Sequence, residues 1–169
     1  SARSDVLFQA DESLKQNIYK KYNIEGGKKC ALFAPTYRHK DGGVNNESTS
    51  KIDLDFKLLR DTLERTTGEE WIILLRLHPL VMTESYKVKK EEFLIDVSVH
   101  HDVQELVAIS ELLITDYSSI MFEPAFVKKP VFLFATDLKD YILTERDLLI
   151  DYYSLPFPIA ETNAELAQN

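Results

Sequence analysis

The sequence predicts a doubly wound, Rossmann-like domain built on a parallel α/β sheet, and three observations carry that prediction. About five short apolar runs alternate with segments of helical spacing along the chain. Trp71 to Leu75 is apolar without a break, as a parallel strand covered on both faces should be. Polar clusters follow three of the runs, at the strand ends where open parallel sheets bind ligands.

Taken in order, residues 1 to 10 read as a lead-in. Asp11 to Tyr22 reads as a helix capped by Asp11 or Ser13, with Leu14, Ile18 and Tyr22 on one face and Gly26-Gly27 stopping it. Lys29 to Ala34 is a short buried strand ended by Pro35. The polar loop Thr36 to Ser50 is read as functional or mobile rather than structural at this length. Asp53 to Thr66 is an amphipathic helix, with Phe56, Leu59 and Leu63 at helical spacing. Trp71 to Leu75 and Phe93 to Val97 are the next strands. Asp102 caps a helix through Ile109, with Val103, Leu106 and Val107 inward. Leu112 to Ile114 is a strand that stops at the turn Thr115-Asp116-Tyr117-Ser118-Ser119. A helix is expected from Ile120 to just before Pro130, then a strand at Val131 to Phe134. Beyond Asp137 the pattern weakens into an aromatic, acidic stretch, Tyr141 to Tyr153. Prolines keep Leu155 to Ile159 from being a central strand. Thr162 to Gln168 reads as a last helix, with Glu165 at the capping-box position.

The chain has 169 residues, the size of one domain with a proper core, and is 44% apolar and 28% charged. A net charge of −8 argues against broad nucleic-acid binding and against adhesion of this stretch to an anionic membrane. The basic clusters at Lys87 to Lys90 and Lys128-Lys129 read mainly as solvated faces. The single cysteine, Cys30, excludes an internal disulfide, fits a reducing compartment and lies in an apolar run, where a buried structural thiol is expected. There is no signal peptide and no apolar stretch near eighteen residues, so a cytoplasmic domain is expected.

The three polar clusters are Pro35-Thr36-Tyr37-Arg38-His39, Arg76-Leu77-His78-Pro79 and Thr115 to Ser119. In a parallel sheet they share one edge. Two arginines, two histidines, several hydroxyls and a helix start form a set suited to phosphate. The Gly-rich dinucleotide loop, the phosphate-binding loop ending in Gly-Lys-Ser/Thr and the His-Glu-x-x-His zinc motif are all missing from the sequence. No Gly-x-Ser-x-Gly elbow surrounds Ser118 or Ser119, which argues against a hydrolase nucleophile. His100-His101 with Asp102 could suggest a metal, but adjacent side chains diverge on a strand or helix, so no metal and no cofactor are expected.

Several of these residues recur together in an ordered set: Ala34-Pro35-Thr36-Tyr37-Arg38, Arg76-x-His78-Pro79, Asp102-Val103-x-Glu105-Leu106, Ile114 to Ser119, Phe122-Glu123 and Lys129-Pro130-Val131. The set resembles the CDP-glycerol glycerophosphotransferase family, which primes or polymerises glycerol phosphate in teichoic acids and related cell-surface polymers. The likeness runs from about Arg3 to Leu166. It includes Arg3-Ser4-Asp5-Val6-Leu7, similar to the family's Pro-Arg-Asn-Asp-x-Leu segment between its two halves. The family's Leu-Pro-Gly-Pro element stands here as Leu155-Pro156-Phe157-Pro158, and the loop Asp41 to Ser50 departs from it as well.

The resemblance implies the carboxy-terminal, nucleotide-binding half of a glycosyltransferase-B-type enzyme. The acceptor half and its catalytic histidine would lie outside residues 11–169, leaving a donor-binding fragment inactive alone. The implied substrate is CDP-glycerol or a related CDP-alditol, and the acceptor a polymer or lipid-linked primer. Membrane association, at the inner face of the cell membrane, is expected only of the full-length protein. Ser118 and Ser119 are expected to hold the donor pyrophosphate, with Thr115 and Asp116 in the same turn. Arg76 and His78 would stabilise the leaving CMP oxygen, and Thr36 or Arg38 would approach the phosphates from the first loop. Glu123, read as one helical turn beyond Ser119, would accept from ribose hydroxyls. Structural alternatives stand beside these roles: Glu123 paired with Lys128 or Lys129, His78 capping a helix before Pro79, and Asp116 holding its turn. Two other functions compete with this one, a UDP-type glycosyltransferase domain and a receiver- or flavodoxin-like interaction domain using Asp116. The latter lacks the acidic cluster after a first strand that such a phosphorylation site needs.

Overall fold

A computed structural model describes residues 7, 12–36, 52–77, 91–144 and 151–169. The long loop expected at 36–50 lies almost wholly outside them, as do His78, Arg38 and most of the lead-in. The described chain runs α1 (Glu12–Lys21), β1 (Lys29–Phe33), α2 (Phe56–Thr67), β2 (Trp71–Leu75), β3 (Leu94–Asp96), α3 (Val103–Ile109) and β4 (Leu112–Thr115). Two 3₁₀ turns follow, Ser119–Phe122 and Pro124–Val127. Then come β5 (Val131–Phe134), α4 (Leu138–Thr144), a third 3₁₀ turn at Tyr152–Ser154, β6 (Ile159–Ala160) and α5 (Asn163–Gln168).

The six strands form one sheet in the order β3-β2-β1-β4-β5-β6, with every pairing parallel. The order reverses between β1 and β4, the doubly wound arrangement the alternation predicts. β1 pairs in register from Lys29 with Trp71 to Phe33 with Leu75, and on its other side from Ala31 with Leu112 to Phe33 with Ile114. The three central strands are therefore the core: every residue of β2 and β4 is buried, and so is β1 from Cys30 onward. Right-handed crossovers put the β1–β2 connection and the β3–β4 connection on opposite faces. The contacts agree, with α1 packed on α3 and α2 packed on α5.

Local sequence explains most boundaries. The helix expected from Asp53 begins at Phe56, where Asp55 caps α2 by accepting from the Leu58 N–H at 2.9 Å. Gly68 ends that helix at φ 72°, which only glycine adopts without strain, and its N–H donates to the Glu64 carbonyl. Asp102 caps α3 through the Gln104 N–H at 2.8 Å, and Thr162 caps α5 through the Glu165 N–H. Cys30 is fully buried. Its thiol donates to the Tyr19 hydroxyl, and burial pushes its pKa up.

Three expectations are corrected. Residues 120 to 129 form no α-helix: Pro124 lacks the N–H that would bond one turn back, and the segment splits into two 3₁₀ turns with Pro124 opening the second. The weak region after Asp137 contains α4. A sixth strand follows Pro158, two residues long and at the sheet edge, where a preceding proline is tolerated.

One lysine closes the junction between α3 and β5. The Lys129 ammonium donates to the carbonyls of Val107 and Ala108 and, at 2.7 Å, to that of Ser110. These lie in the last turn of α3, where carbonyls lack intrahelical donors and the helix dipole favours a cation. Burial pushes the ammonium's pKa down, with Glu111 opposing. Lys129→Met should lower stability by about 2 kcal/mol in a urea titration, since it leaves several carbonyls without their charged donor. An unchanged midpoint would show that the lysine does not hold this junction.

Candidate functional site

The loops after β1 and β4 meet at the point where the strand order reverses. Thr115 is fully buried and its Oγ1 donates to the Ala34 carbonyl at 2.7 Å. The Ala34 N–H in turn donates to the Ile114 carbonyl at 3.0 Å. Asp116 follows, 2% exposed. Its Oδ1 accepts from the Thr36 N–H and the Thr36 Oγ1, both at 2.8 Å, and from the Tyr117 N–H at 2.7 Å. Thr36, Thr115 and Asp116 thus bind the two loops to each other, which is the structural alternative the sequence left open for Asp116.

Ser118 opens the first 3₁₀ turn, its Oγ accepting from the Ile120 N–H at 3.4 Å. Ser119 is exposed. Among the described residues, no hydrogen bond takes the backbone N–H of Ser118 or of Ser119. Glu123 sits half-buried between the two 3₁₀ turns. The same-face relation expected between Ser119 and Glu123 does not survive, because a 3₁₀ turn repeats every three residues and aligns Glu123 with Ile120. Lys129, one of the partners considered for Glu123, is engaged at the end of α3 instead.

Arg76 leaves the end of β2, its N–H donating to the Phe33 carbonyl at 2.9 Å. Two strand spacings separate it from β4, about 10 Å, which a guanidinium and a diphosphate together can span. The side chain is half-buried, and its buried Nε has no hydrogen-bond partner among the described residues. Burial pushes the guanidinium's pKa down, and nearby Asp102 partly restores it. The loops after β2 and β3 are joined where the Leu77 N–H donates to the Ser98 Oγ at 2.9 Å. His100 has protein groups at both ring nitrogens, Glu105 at 2.8 Å on one and Tyr22 and Lys21 at 3.1 and 3.3 Å on the other.

Sequence reasoning missed a tyrosine cluster behind the Asp116 turn. The Tyr117 ring stacks on Tyr141 at 3.6 Å with planes 5° apart, and meets Tyr152 at 5.2 Å. Its hydroxyl donates to Asp137 at 2.9 Å. The Tyr152 hydroxyl donates to the Asp116 carbonyl at 3.1 Å. The available signal was Asp151, a turn-capping residue just before Tyr152, whose carboxylate accepts from the Tyr153 N–H.

Residues 2–169 match the family model described as CDP-glycerol:poly(glycerophosphate) glycerophosphotransferase. A teichoic acid poly(ribitol-phosphate) polymerase of Bacillus spizizenii is 34% identical over 168 residues, covering 97% of this chain and 26% of that protein. A teichoic acid poly(glycerol phosphate) polymerase of Staphylococcus epidermidis is 38% identical over 160 residues, covering 93% and 22%. The solved structure of the wall teichoic acid polymerase TagF superposes with a TM-score of 0.77 at 34% identity, over 98% of this chain and 39% of that one. A variant of TagF soaked with CDPG gives 0.73 at 34% identity, over 98% and 38%. The chain therefore spans about a quarter of the length of these two polymerases. Its architecture is the Rossmann-like half of a glycosyltransferase-B-type fold.

Removing the Asp116 carboxylate strands three donors, so Asp116→Ala should cost about 3 kcal/mol in urea unfolding. Thr36→Val removes one donor and should cost about 1 kcal/mol. Equal losses would contradict a carboxylate that serves several donors.

Proposed function

The chain belongs to the CDP-glycerol:poly(glycerophosphate) glycerophosphotransferase family, and on that premise we propose that it is the donor-binding half of a transferase. The enzyme moves glycerol phosphate from CDP-glycerol, or a related alditol phosphate from its CDP ester, to a growing cell-surface polymer or its lipid-linked primer. CMP leaves. Residues 11–169 form the nucleotide-binding domain, residues 1–10 the lead-in to it, and the acceptor side with its catalytic histidine belongs to a further domain, so this stretch alone is inactive.

The observation that carries the reading is Arg76, a half-buried guanidinium at the carboxyl edge of the sheet with a buried N–H that no described residue accepts. A cation in that state is suited to an incoming anion, because the anion supplies both the missing charge and the missing acceptor. Opposite it the Ser118 and Ser119 amides and hydroxyls cradle the diphosphate. Arg76 and His78 neutralise charge as it develops on the leaving CMP oxygen, so their contribution grows toward the transition state. Thr36 or Arg38 approaches the phosphates from the first loop, and the commitment of both Thr36 donors to Asp116 favours Arg38. Thr115 and Asp116 act by holding that geometry, and Glu123 accepts from the ribose hydroxyls. No observation favours the UDP-type alternative, and the Asp116 carboxylate that a receiver-type reading would phosphorylate is buried among three donors. Among the described residues no helix is long and apolar enough to cross a membrane. Peripheral attachment of the whole enzyme at the inner face of the cell membrane belongs to this proposal.

A thermal-shift panel of nucleotides tests it. CDP at a hundred times its dissociation constant should stabilise by about 2.7 kcal/mol and raise Tm by roughly 5–10 °C. UDP should give less. His78→Ala and Ser119→Ala should shrink the shift. Arg76→Ala should abolish most of it while leaving the unliganded Tm unchanged or higher, since the variant removes a desolvated charge with no acceptor on its Nε. The absence of any shift with cytidine nucleotides at millimolar concentration would sink the proposal.

A further inference from the structure

The peptide unit joining Asp116 to Tyr117 is held at both of its polar ends. Its carbonyl accepts from the Tyr152 hydroxyl at 3.1 Å, and its N–H donates to the Asp116 Oδ1 at 2.7 Å. A trans peptide is planar, so fixing the C=O and the N–H fixes the orientation of the whole unit. The next two residues are Ser118 and Ser119. Their amides belong to the next two peptide units, whose directions are built outward from that plane.

Tyr152 belongs to the hydrophobic core and also brings a hydroxyl to this peptide. It is 4% exposed, and it arrives from a remote part of the chain, thirty-six positions from its acceptor. Its backbone is set by a short turn of its own. There the Asp151 carboxylate accepts from the Tyr153 N–H at 3.1 Å, and the Ser154 Oγ donates to the Asp151 carbonyl at 2.7 Å. The Tyr152 ring also meets Tyr117, whose hydroxyl is anchored on Asp137 and whose face is stacked on Tyr141. Both the peptide and the side chain that follows it are therefore held from the segment between β5 and β6.

We propose that Tyr152 is a positioning residue: its hydroxyl holds the 116–117 peptide so that Tyr117 to Ser119 present a preorganised surface to the donor's phosphates. The inference rests on the donor-site reading above. Its action is through the turn and not by contact with the ligand. Preorganisation of this kind improves affinity by lowering the ordering cost of binding.

The test uses Tyr152→Phe, which deletes the hydroxyl and keeps the ring. Isothermal titration with CDP and amide hydrogen exchange without nucleotide are measured on the wild-type chain and the variant. The variant should bind CDP about fivefold more weakly, the loss of one neutral hydrogen bond. Its Tyr117 amide should exchange faster. Leu166→Ala, in α5, serves as a control for lost stability and should bind CDP as the wild type does. If Tyr152→Phe binds like the wild type, or if Leu166→Ala weakens CDP equally, the positioning role is overturned while the donor site stands. If the wild type binds no cytidine nucleotide, the donor-site reading itself has failed, and the role in binding falls with it.

Discussion

The Asp116 carboxylate is the constraint on which the site depends. A parallel sheet brings its loops to one edge but leaves them as separate chains, each able to move. Between β1 and β4 the connections depart in opposite directions, opening a crevice with no backbone continuity across it. Asp116 bridges that crevice, accepting from both the backbone and the hydroxyl of Thr36 and from the N–H of Tyr117. Thr115 adds a second tie just beneath, onto the Ala34 carbonyl. These bonds form inside the protein, where they are stronger than at the surface and costly to leave unmade. The start of the loop after β1, at Ala34 and Thr36, is thereby tied to the turn that follows β4.

That bridge changes the meaning of the motif. A short run of Thr, Asp, Tyr, Ser and Ser looks uniformly polar in sequence, and each hydroxyl or carboxylate is an equal candidate for ligand contact. The fold sorts them. Thr115 and Asp116 face the neighbouring loop and are buried, whereas Ser119 is exposed and Ser118 half-exposed. Burial could not be read from composition, because it depends on which loop lies alongside, and the neighbour of β4 is β1, eighty residues earlier.

Elements set by local chemistry were legible. The unbroken apolar run Trp71 to Leu75 is a buried central strand, Asp102 and Thr162 cap the helices they precede, and the alternation of elements gives the doubly wound sheet. Legibility ended where a single residue overrides a pattern. The spacing of Ile120, Phe122 and Phe126 suits an α-helix, but Pro124 removes one donor and the segment tightens into 3₁₀ turns. It also ended where a contact is long-range. The bond from Tyr152 to Asp116 joins an aromatic stretch of weak periodicity to a turn in the middle of the chain, and no local rule announces it. Of the candidate site residues, His78 and Arg38 lie outside the described residues, and Thr36, Arg76, Thr115, Asp116, Ser118, Ser119 and Glu123 lie within them.

The 3₁₀ geometry has an electrostatic consequence. A full α-helix after the Ser118-Ser119 turn would have offered a macrodipole built from many aligned peptides, roughly half a positive charge at its start. Two four-residue 3₁₀ turns, joined through Glu123 with helical backbone angles, make a shorter and less regular stack of peptides and so a smaller dipole. The chain as a whole carries a net charge of −8, so the protein's general field does not favour an anion either. In the proposed donor site, neutralising a diphosphate would therefore fall on discrete cations at the sheet edge. Arg76 is the described residue placed for it, and its environment is consistent with that load. Partial burial raises the strength of any charge pair it makes, and the Asp102 carboxylate offsets part of the desolvation without occupying its buried Nε. In that proposal the amides of the turn contribute direction, and the arginine contributes charge.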